Sequence, residues 1–182
     1  MDLASCPWLT ERKDAEKISM PHSYLIQHLT PEDEALMDAL LVTFGKAFNE
    51  IETYLEKRPS AEYMRRLLGS DNFIALAAVQ DGDVVGGIAA YELKKFEQER
   101  SEIYLYDLAV AKEHRRQGIA TALIQKLKKL AAARGAYVIF VQADTGPEDE
   151  AAIALYSKLG KRENVLHFDI PVEGDKNTIN SA

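Results

Sequence analysis

Two hydrophobic patterns alternate along the 182-residue chain. Four segments carry apolar residues at helical spacing, at residues 30–48, 61–68, 119–134 and 148–159. Six shorter apolar runs have the length of β-strands, at residues 24–29, 73–80, 84–93, 102–111, 136–144 and 165–172. The order is one strand, two helices, a hairpin and then strand-helix-strand-helix-strand. It predicts an α/β (α+β) fold in which a mixed central sheet carries helices on both faces.

Residues at the ends of these segments predict where the elements start and stop. Thr30 is placed to cap the first helix, with Pro31 at its first helical position, and Ser60 to cap the second. The pair Asp81-Gly82 separates two apolar runs and predicts a hairpin turn. Those two runs and residues 136–144 are apolar on both faces, which predicts strands buried between layers.

Composition and charge narrow the class of protein. Hydrophobic residues make up 47% and charged residues 28%, as in an ordinary globular protein. A formal charge of −7 argues against a nucleic-acid partner and suits a cationic one. The four histidines and the single cysteine, Cys6, show no metal-ligand spacing, so we expect no metal and no internal disulfide.

The two ends of the chain are polar and lack a sustained period. We expect residues 1–21 to be a flexible leader or extension, residues 22–173 a single domain, and residues 174–182 a flexible tail. The first 17 residues lack the basic and apolar regions of a secretion signal, and no apolar run has the length of a membrane span. These features predict a cytoplasmic protein without a membrane partner.

The turn before the third helix is the clearest candidate site. Arg115, Arg116 and Gly118 lie between a predicted strand and an amphipathic helix. A helix N-terminus presents unpaired N–H groups, a glycine permits close approach, and arginines add charge-assisted hydrogen bonds. The turn therefore predicts a polyphosphate site, while the Walker and dinucleotide-binding glycine patterns are absent from the sequence.

The hexapeptide at residues 115–120, RRQGIA, resembles the R/Q-x-x-G-x-G/A acyl-CoA signature of the Gcn5-related N-acetyltransferase (GNAT) superfamily. The resemblance implies a largely antiparallel sheet splayed at the cofactor site, acetyl-CoA as cofactor, and a pantetheine arm paired with the strand before the turn. The cofactor-binding residues it implies are Leu108, Ala109, Val110, Arg115, Arg116, Gln117, Gly118, Ile119, Ala120 and Thr121.

Longer stretches between residues 24 and 172 resemble the gentamicin- and fortimicin-type aminoglycoside 3-N-acetyltransferases. They include residues 86–110, 114–124, 135–144 and 154–170, whereas residues 145–152, TGPEDEAA, depart from that family. The resemblance implies acetylation of the 3-amino group of a 2-deoxystreptamine antibiotic, and a homodimer. Because Cys6 lies in the leader, we expect direct transfer without a cysteine-linked intermediate.

Two residues are candidates for proton transfer. Residues 149–160 resemble a family segment that assigns Tyr156 as the acid for the departing thiolate. Asp107 lies within an otherwise apolar strand, where burial would raise its pKa towards that of a useful base. A structural role for Asp107, such as bracing Arg115, fits the sequence equally well. Strict alternation places Asp107 opposite Tyr104 and Tyr106, so without a β-bulge a water held by Glu102 and these tyrosines is the alternative base.

A polycationic acceptor needs several carboxylates. The substrate-binding candidates are Glu102, Tyr104, Asp144, Glu148, Asp149, Glu150 and Asp169. The acids at 148–150 would also stabilise a helix dipole without any ligand. Two other functions remain open: acetylation of another small amine such as a polyamine, and a CoA-binding module without catalysis.

Overall fold

The computed structural model describes residues 23–172, which divide into two compact units after Val141. Residues 23–141 contain β1 (Leu25–His28), α1 (Glu34–Phe48), a π-helical turn (Glu52–Glu56), α2 (Ala61–Leu68), β2 (Phe73–Gln80), β3 (Asp83–Lys94), β4 (Ser101–Val110), α3 (Ile119–Ala133) and β5 (Ala136–Val141). Residues 142–172 contain α4 (Glu150–Leu159). The predicted leader and tail lie outside the described residues, and the single-domain boundary stays a prediction.

The first unit is built on one five-stranded sheet in the order β1-β2-β3-β4-β5. The first three pairs of strands are antiparallel and β4 pairs with β5 in parallel. The parallel pairing ends at Leu105 and Val141, while β4 continues to Val110, so the sheet opens there. This confirms the predicted fold class: a mixed, largely antiparallel sheet that is splayed at one end.

Helices cover both faces of this sheet. Phe73, Ala75 and Ala77 of β2 belong to a core that includes Leu40 and Phe44 of α1. The alternate β2 residues are also buried, and they face the opposite side, where α3 packs its apolar face. The predicted burial of β2 and β3 is therefore correct.

A glycine in β3 allows the core to close. A Cβ on Gly87 would fall on the carbonyl oxygen of Leu76 and lie 2.5 Å from Cδ1 of Leu40. Only a residue without a side chain lets α1 approach β3 this closely, which explains the glycine inside an otherwise apolar strand.

Two of the predicted element boundaries are confirmed and one is wrong. Ser60 Oγ accepts the N–H of Tyr63 at 3.2 Å, and Asp81 and Gly82 form the hairpin turn with φ of 53° and 94°. Helix α1, however, begins at Glu34 with Asp33 as N-cap. Thr30 is not the cap because its N–H and hydroxyl donate to Asp33 Oδ2 at 2.9 and 2.8 Å, which closes a turn before the helix.

The last two predicted strands also differ from expectation. Strand β5 lies at the edge of the sheet and is not buried, since Tyr137 and Val138 are exposed. Residues 165–172 form no strand, and their five large apolar side chains are exposed. Apolar alternation indicates a capacity to pair, but a strand also needs a partner ladder, and this segment takes part in none within residues 23–172. None of the described helices is both long and apolar enough to cross a membrane.

Candidate active site

The turn between β4 and α3 presents free backbone donors at the start of a helix. Gly118 is the N-cap of α3 and has φ of +83°. As a glycine it has no side chain that could cap the helix. The first hydrogen bond of the helix runs from the N–H of Ala122 to the oxygen of Gly118 at 3.0 Å. The N–H groups of Ile119, Ala120 and Thr121 precede that bond, so they have no partner within the helix. Such N–H groups and the positive end of the helix dipole favour the binding of an anion.

Three polar side chains surround these donors, and all are exposed. Arg115 Nε donates to the carbonyl oxygen of Val110 at 3.0 Å, and Gln117 Nε2 reaches the oxygen of Glu113 at 3.5 Å. Arg116 has φ of +65°, a left-handed conformation that is uncommon for a side chain of this size. The arginines therefore add positive charge beside the free N–H groups.

The open edge of β4 leads to this turn. Leu108, Ala109 and Val110 pair with β3 and lie beyond the end of the β4–β5 ladder. The N–H of Ala111 donates to Val85 in β3 at 2.9 Å, so by strand alternation the peptide groups of Val110 and Leu108 face the side that β5 has left. Arg115 already donates to the carbonyl oxygen of Val110, so the Val110 N–H and the peptide groups of Leu108 form the open part of this edge. An extended chain could pair with this part of the edge.

A β-bulge changes the faces on which the β4 side chains lie. Asp107 pairs with Ala89 and Leu105 with Ala90, which leaves Tyr106 without a partner in β3. Ala89 belongs to the core under α1, so Asp107 lies on that face. Tyr104 pairs with Tyr91, which packs against the same core. Strict alternation is therefore wrong at this point, and Asp107 shares a face with the tyrosines.

Asp107 is a half-buried acid on this face. Its Oδ2 accepts a hydrogen bond from the Tyr54 hydroxyl at 3.0 Å. Burial raises the pKa of the Asp107 carboxyl, the hydrogen bond from Tyr54 lowers it, and the charge of Glu50 raises it. The partner of Asp107 is Tyr54 and not Arg115, which donates to Val110, so the predicted bracing of Arg115 is wrong.

Aromatic rings continue from Asp107 across the sheet. Tyr104 stacks on Phe140 of β5 with ring centroids 4.9 Å apart, and it meets Tyr106 edge-on at 5.5 Å. Tyr106 also meets Tyr91 edge-on at 5.7 Å and is 57% exposed. Aromatic faces beside a carboxylate form a surface on which an organic ammonium group can bind.

Both carboxylate oxygens of Glu102 accept hydrogen bonds from other side chains of the protein. Its Oε1 accepts from Lys95 Nζ at 2.9 Å and its Oε2 from the Tyr137 hydroxyl at 3.1 Å. The hydrogen bond from Lys95 lowers the pKa of Glu102, so the carboxylate is ionised but already paired. Arg100 lies 4.1 Å above the ring of Tyr137. This arrangement disfavours Glu102 as the holder of a catalytic water.

The remaining predicted residues belong to the second unit. Tyr156 lies in α4, and its carbonyl oxygen accepts the N–H of Gly160 at 2.9 Å where the helix ends. Asp149 caps α4, and its Oδ2 accepts the N–H of Asp144 at 2.8 Å. Asp169 Oδ1 lies 3.0 Å from Nε2 of His167. Exposed Glu148 and Glu150 complete this acidic group.

Sequence reasoning missed Tyr54, the residue that contacts Asp107. The two are separated by 53 positions, and Tyr54 lies in a short segment without a clear period. Within residues 23–172, no group of three or more His, Cys, Asp or Glu side chains is arranged to hold a metal ion.

Residues 34–161 match the family model for the Acetyltransferase (GNAT) family. The chain therefore belongs to the GNAT acetyltransferases, which use acetyl-CoA as the acetyl donor. The features found here fit that donor: unpaired amides at the start of α3, cationic side chains beside them, and an open edge of β4.

Among solved structures, the chain is similar in sequence and fold to two aminoglycoside acetyltransferases. It is 72% identical to the aminoglycoside acetyltransferase HMB0005 from an uncultured soil metagenomic sample, covering 83% of this chain and 99% of that one with a TM-score of 0.82. It is 28% identical to the aminoglycoside acetyltransferase meta-AAC0020 from an uncultured soil metagenomic sample, solved with sisomicin, covering 82% and 97% of the two chains with a TM-score of 0.75.

Curated relatives are more distant. N-acetyltransferase family 8 member 2 of Rattus norvegicus is 35% identical over 91 residues, which cover 50% of this chain and 39% of that protein. N-acetyltransferase 8 of Homo sapiens is 29% identical over 127 residues, which cover 63% and 55%. The chain thus spans about half or less of the length of these two relatives.

Proposed function

We propose that this protein transfers the acetyl group of acetyl-CoA to the 3-amino group of 2-deoxystreptamine aminoglycosides. The observation that carries the proposal is the layout of β4. One end of this strand leads into the turn at Gly118, and the half-buried carboxylate of Asp107 lies before the open edge at Leu108–Val110. A bound thioester carrier and an amine-binding acid would therefore share one strand.

The donor end of the site uses backbone groups. The N–H groups of Ile119, Ala120 and Thr121 would hold the diphosphate, with Arg115 and Arg116 supplying positive charge. The peptide groups of Leu108 and the N–H of Val110 would align the extended arm. Acetyl-CoA, when bound, supplies an acetyl thioester that is reactive towards a neutral amine.

The acceptor end has to deprotonate an ammonium group. An ordinary amine with a pKa near ~10 is almost wholly protonated at pH 7, and only its neutral form is a nucleophile. Asp107 would accept this proton, and its raised pKa brings it closer to the working pH than an exposed carboxylate. Tyr156 would donate a proton to the departing sulfur, the role that the family resemblance implies.

The aminoglycoside is supported by relatedness and by charge. A 72% identical structure is an aminoglycoside acetyltransferase, and the chain carries a formal charge of −7 that suits a polycation. The aromatic surface of Tyr104 and Tyr106 beside Asp107 adds a place for one ammonium group. The homodimer and the cytoplasmic location stay predictions.

The test is an acceptor panel with the full chain. Thiol release from acetyl-CoA should be measured with gentamicin, sisomicin, kanamycin and spermidine, and the acetylated nitrogen assigned by NMR of the product. We expect the three aminoglycosides to be acetylated at N3, and gentamicin that already carries an acetyl group on N3 to be inert. Acetylation of spermidine alone, or of another aminoglycoside nitrogen, would overturn the assignment.

A further inference from the structure

Two irregular backbone features of the first unit meet at one hydrogen bond. The β-bulge at Tyr106 turns Asp107 towards α1, and the π-helical turn Glu52–Glu56 carries Tyr54 to it. The Tyr54 hydroxyl donates to Asp107 Oδ2 at 3.0 Å. Bulges and π-turns both re-aim side chains and are frequent at functional sites.

The segment before Tyr54 is built to hold this residue in place. Helix α1 ends at Asn49 with φ of 59°, and the N–H of Glu50 donates to the oxygen of Gly45 at 2.9 Å. A Cβ on Gly45 would lie 3.2 Å from Cβ of Tyr54, so glycine permits the close approach. Glycine inside a helix costs about 1 kcal/mol relative to alanine, which this contact has to offset.

Aromatic packing holds the ring of Tyr54. Its centroid lies 5.9 Å from that of Phe44 and 5.8 Å from that of Phe48. A phenylalanine would pack in the same way and would avoid burying a hydroxyl group. The hydroxyl is therefore explained by Asp107 and not by packing.

The hydrogen bond changes what Asp107 can do. Burial and the charge of Glu50 raise the pKa of Asp107, and the Tyr54 hydroxyl opposes them. Burial and the charge of Asp107 raise the pKa of Tyr54 above its ordinary value, so Tyr54 stays protonated and remains the donor. Within residues 23–172 the hydrogen bond to Asp107 uses Oδ2, which leaves Oδ1 to accept a proton.

We propose that Tyr54 is a positioning residue for acetyl transfer: it holds Oδ2 of Asp107 so that Oδ1 meets the acceptor amine. This inference rests on the proposed function, in which Asp107 takes the proton of that amine. Tyr54 itself need not touch the substrate.

The test compares Tyr54→Phe with a matched loss of a hydroxyl elsewhere. Tyr63→Phe in α2 removes a hydroxyl from a ring that is 51% exposed and serves as control. We expect Tyr54→Phe to lower kcat about 10-fold with an unchanged KM for acetyl-CoA, and Asp107→Asn, which removes the base, to lower it about 100-fold or more. Tyr63→Phe should match the wild type.

The pH profile separates positioning from a merely structural effect. Loss of the hydrogen bond that lowers the pKa of Asp107 raises that pKa, so the acidic limb of kcat should move to higher pH in Tyr54→Phe. Both the wild type and Tyr54→Phe are assayed with the same acceptor, so deprotonation of its amine affects the two pH profiles equally. A ¹³C NMR titration of the Asp107 carboxyl, assigned with Asp107→Asn, should show the same upward shift without any acceptor present.

Two results would overturn the inference. One is a Tyr54→Phe enzyme whose kcat and acidic limb equal those of the wild type, and the other is full activity in Asp107→Asn. Both can occur while aminoglycosides are still acetylated, so acetyl transfer to the aminoglycoside would stand. The second result would in addition remove Asp107 as the base of that reaction. If instead no acceptor of the panel is acetylated, the proposed function fails and the inference fails with it.

Discussion

Substitution of Gly118 by alanine should separate the conformational role of this glycine from its role in binding. Gly118 has φ of +83°, a region in which an L-residue is strained. Among residues 23–172 the added Cβ would find only the Tyr24 hydroxyl oxygen within 4 Å, at 3.8 Å. The methyl group therefore fits the protein but projects into the space at the start of α3 that a diphosphate would need.

The expected magnitudes follow from these two facts. Left-handed backbone costs an L-residue roughly 1–2 kcal/mol. At this chain length that loss lowers the Tm by about 2–8 °C. A charge-assisted hydrogen bond contributes about 1.5–3 kcal/mol. Loss of one such bond to the diphosphate would raise the Kd for acetyl-CoA about 10- to 100-fold.

Gly135→Ala is the matched control. Gly135 follows α3 at its other end with φ of +77°, and its added Cβ would meet no atom of the described residues within 4 Å. Both variants should lose similar stability in thermal unfolding, but only Gly118→Ala should bind acetyl-CoA more weakly in calorimetry. Equal affinity in the two variants, at equal stability, would refute the diphosphate seat on which the donor site rests.

Two further variants test other parts of the protein. Tyr156→Phe should lower kcat at least about 10-fold while the Kd for acetyl-CoA stays within about twofold, because it removes only the proton donor. Steady-state kinetics and calorimetry measure the two quantities. A fall in kcat accompanied by an equal loss of affinity for acetyl-CoA would contradict the acid role. Gly87→Ala should lower the free energy of unfolding by about 3 kcal/mol in urea, since its Cβ would fall on Leu76 O. Gly82→Ala, whose Cβ meets no atom within 4 Å in the part of the chain that the structure describes, should lose only about 1–2 kcal/mol. Equal losses in the two variants would show that the sheet core is not as tightly packed as the structure indicates.

The donor half of the site could be predicted because its information is local. The signature at residues 115–120 encodes a strand end, a left-handed glycine and a helix start within one short segment. A helix N-terminus needs no distant residue to expose its N–H groups. The predicted start of the helix at Ile119 agrees with the structure, and binding of the cofactor there stays a prediction.

The acceptor half could not be predicted in the same way. The face on which Asp107 lies depends on the bulge at Tyr106, which arises from the register between β3 and β4. A shift of one residue moves a side chain to the other face of a sheet. The pairing of Glu102 with Lys95 and the contact of Tyr54 with Asp107 likewise join separate segments of the chain.

The sequence by itself determined the order of helices and strands up to α4, the glycine turn at the start of α3 and the family resemblance, because periodicity, caps and glycine positions act over a few residues. Only the tertiary structure decided that β5 is an exposed edge, that residues 165–172 form no strand, and that Tyr54 holds Asp107. Burial and strand pairing depend on which distant segments meet in the fold. The hydrophobic pattern of one segment does not specify which other segment it packs against or pairs with.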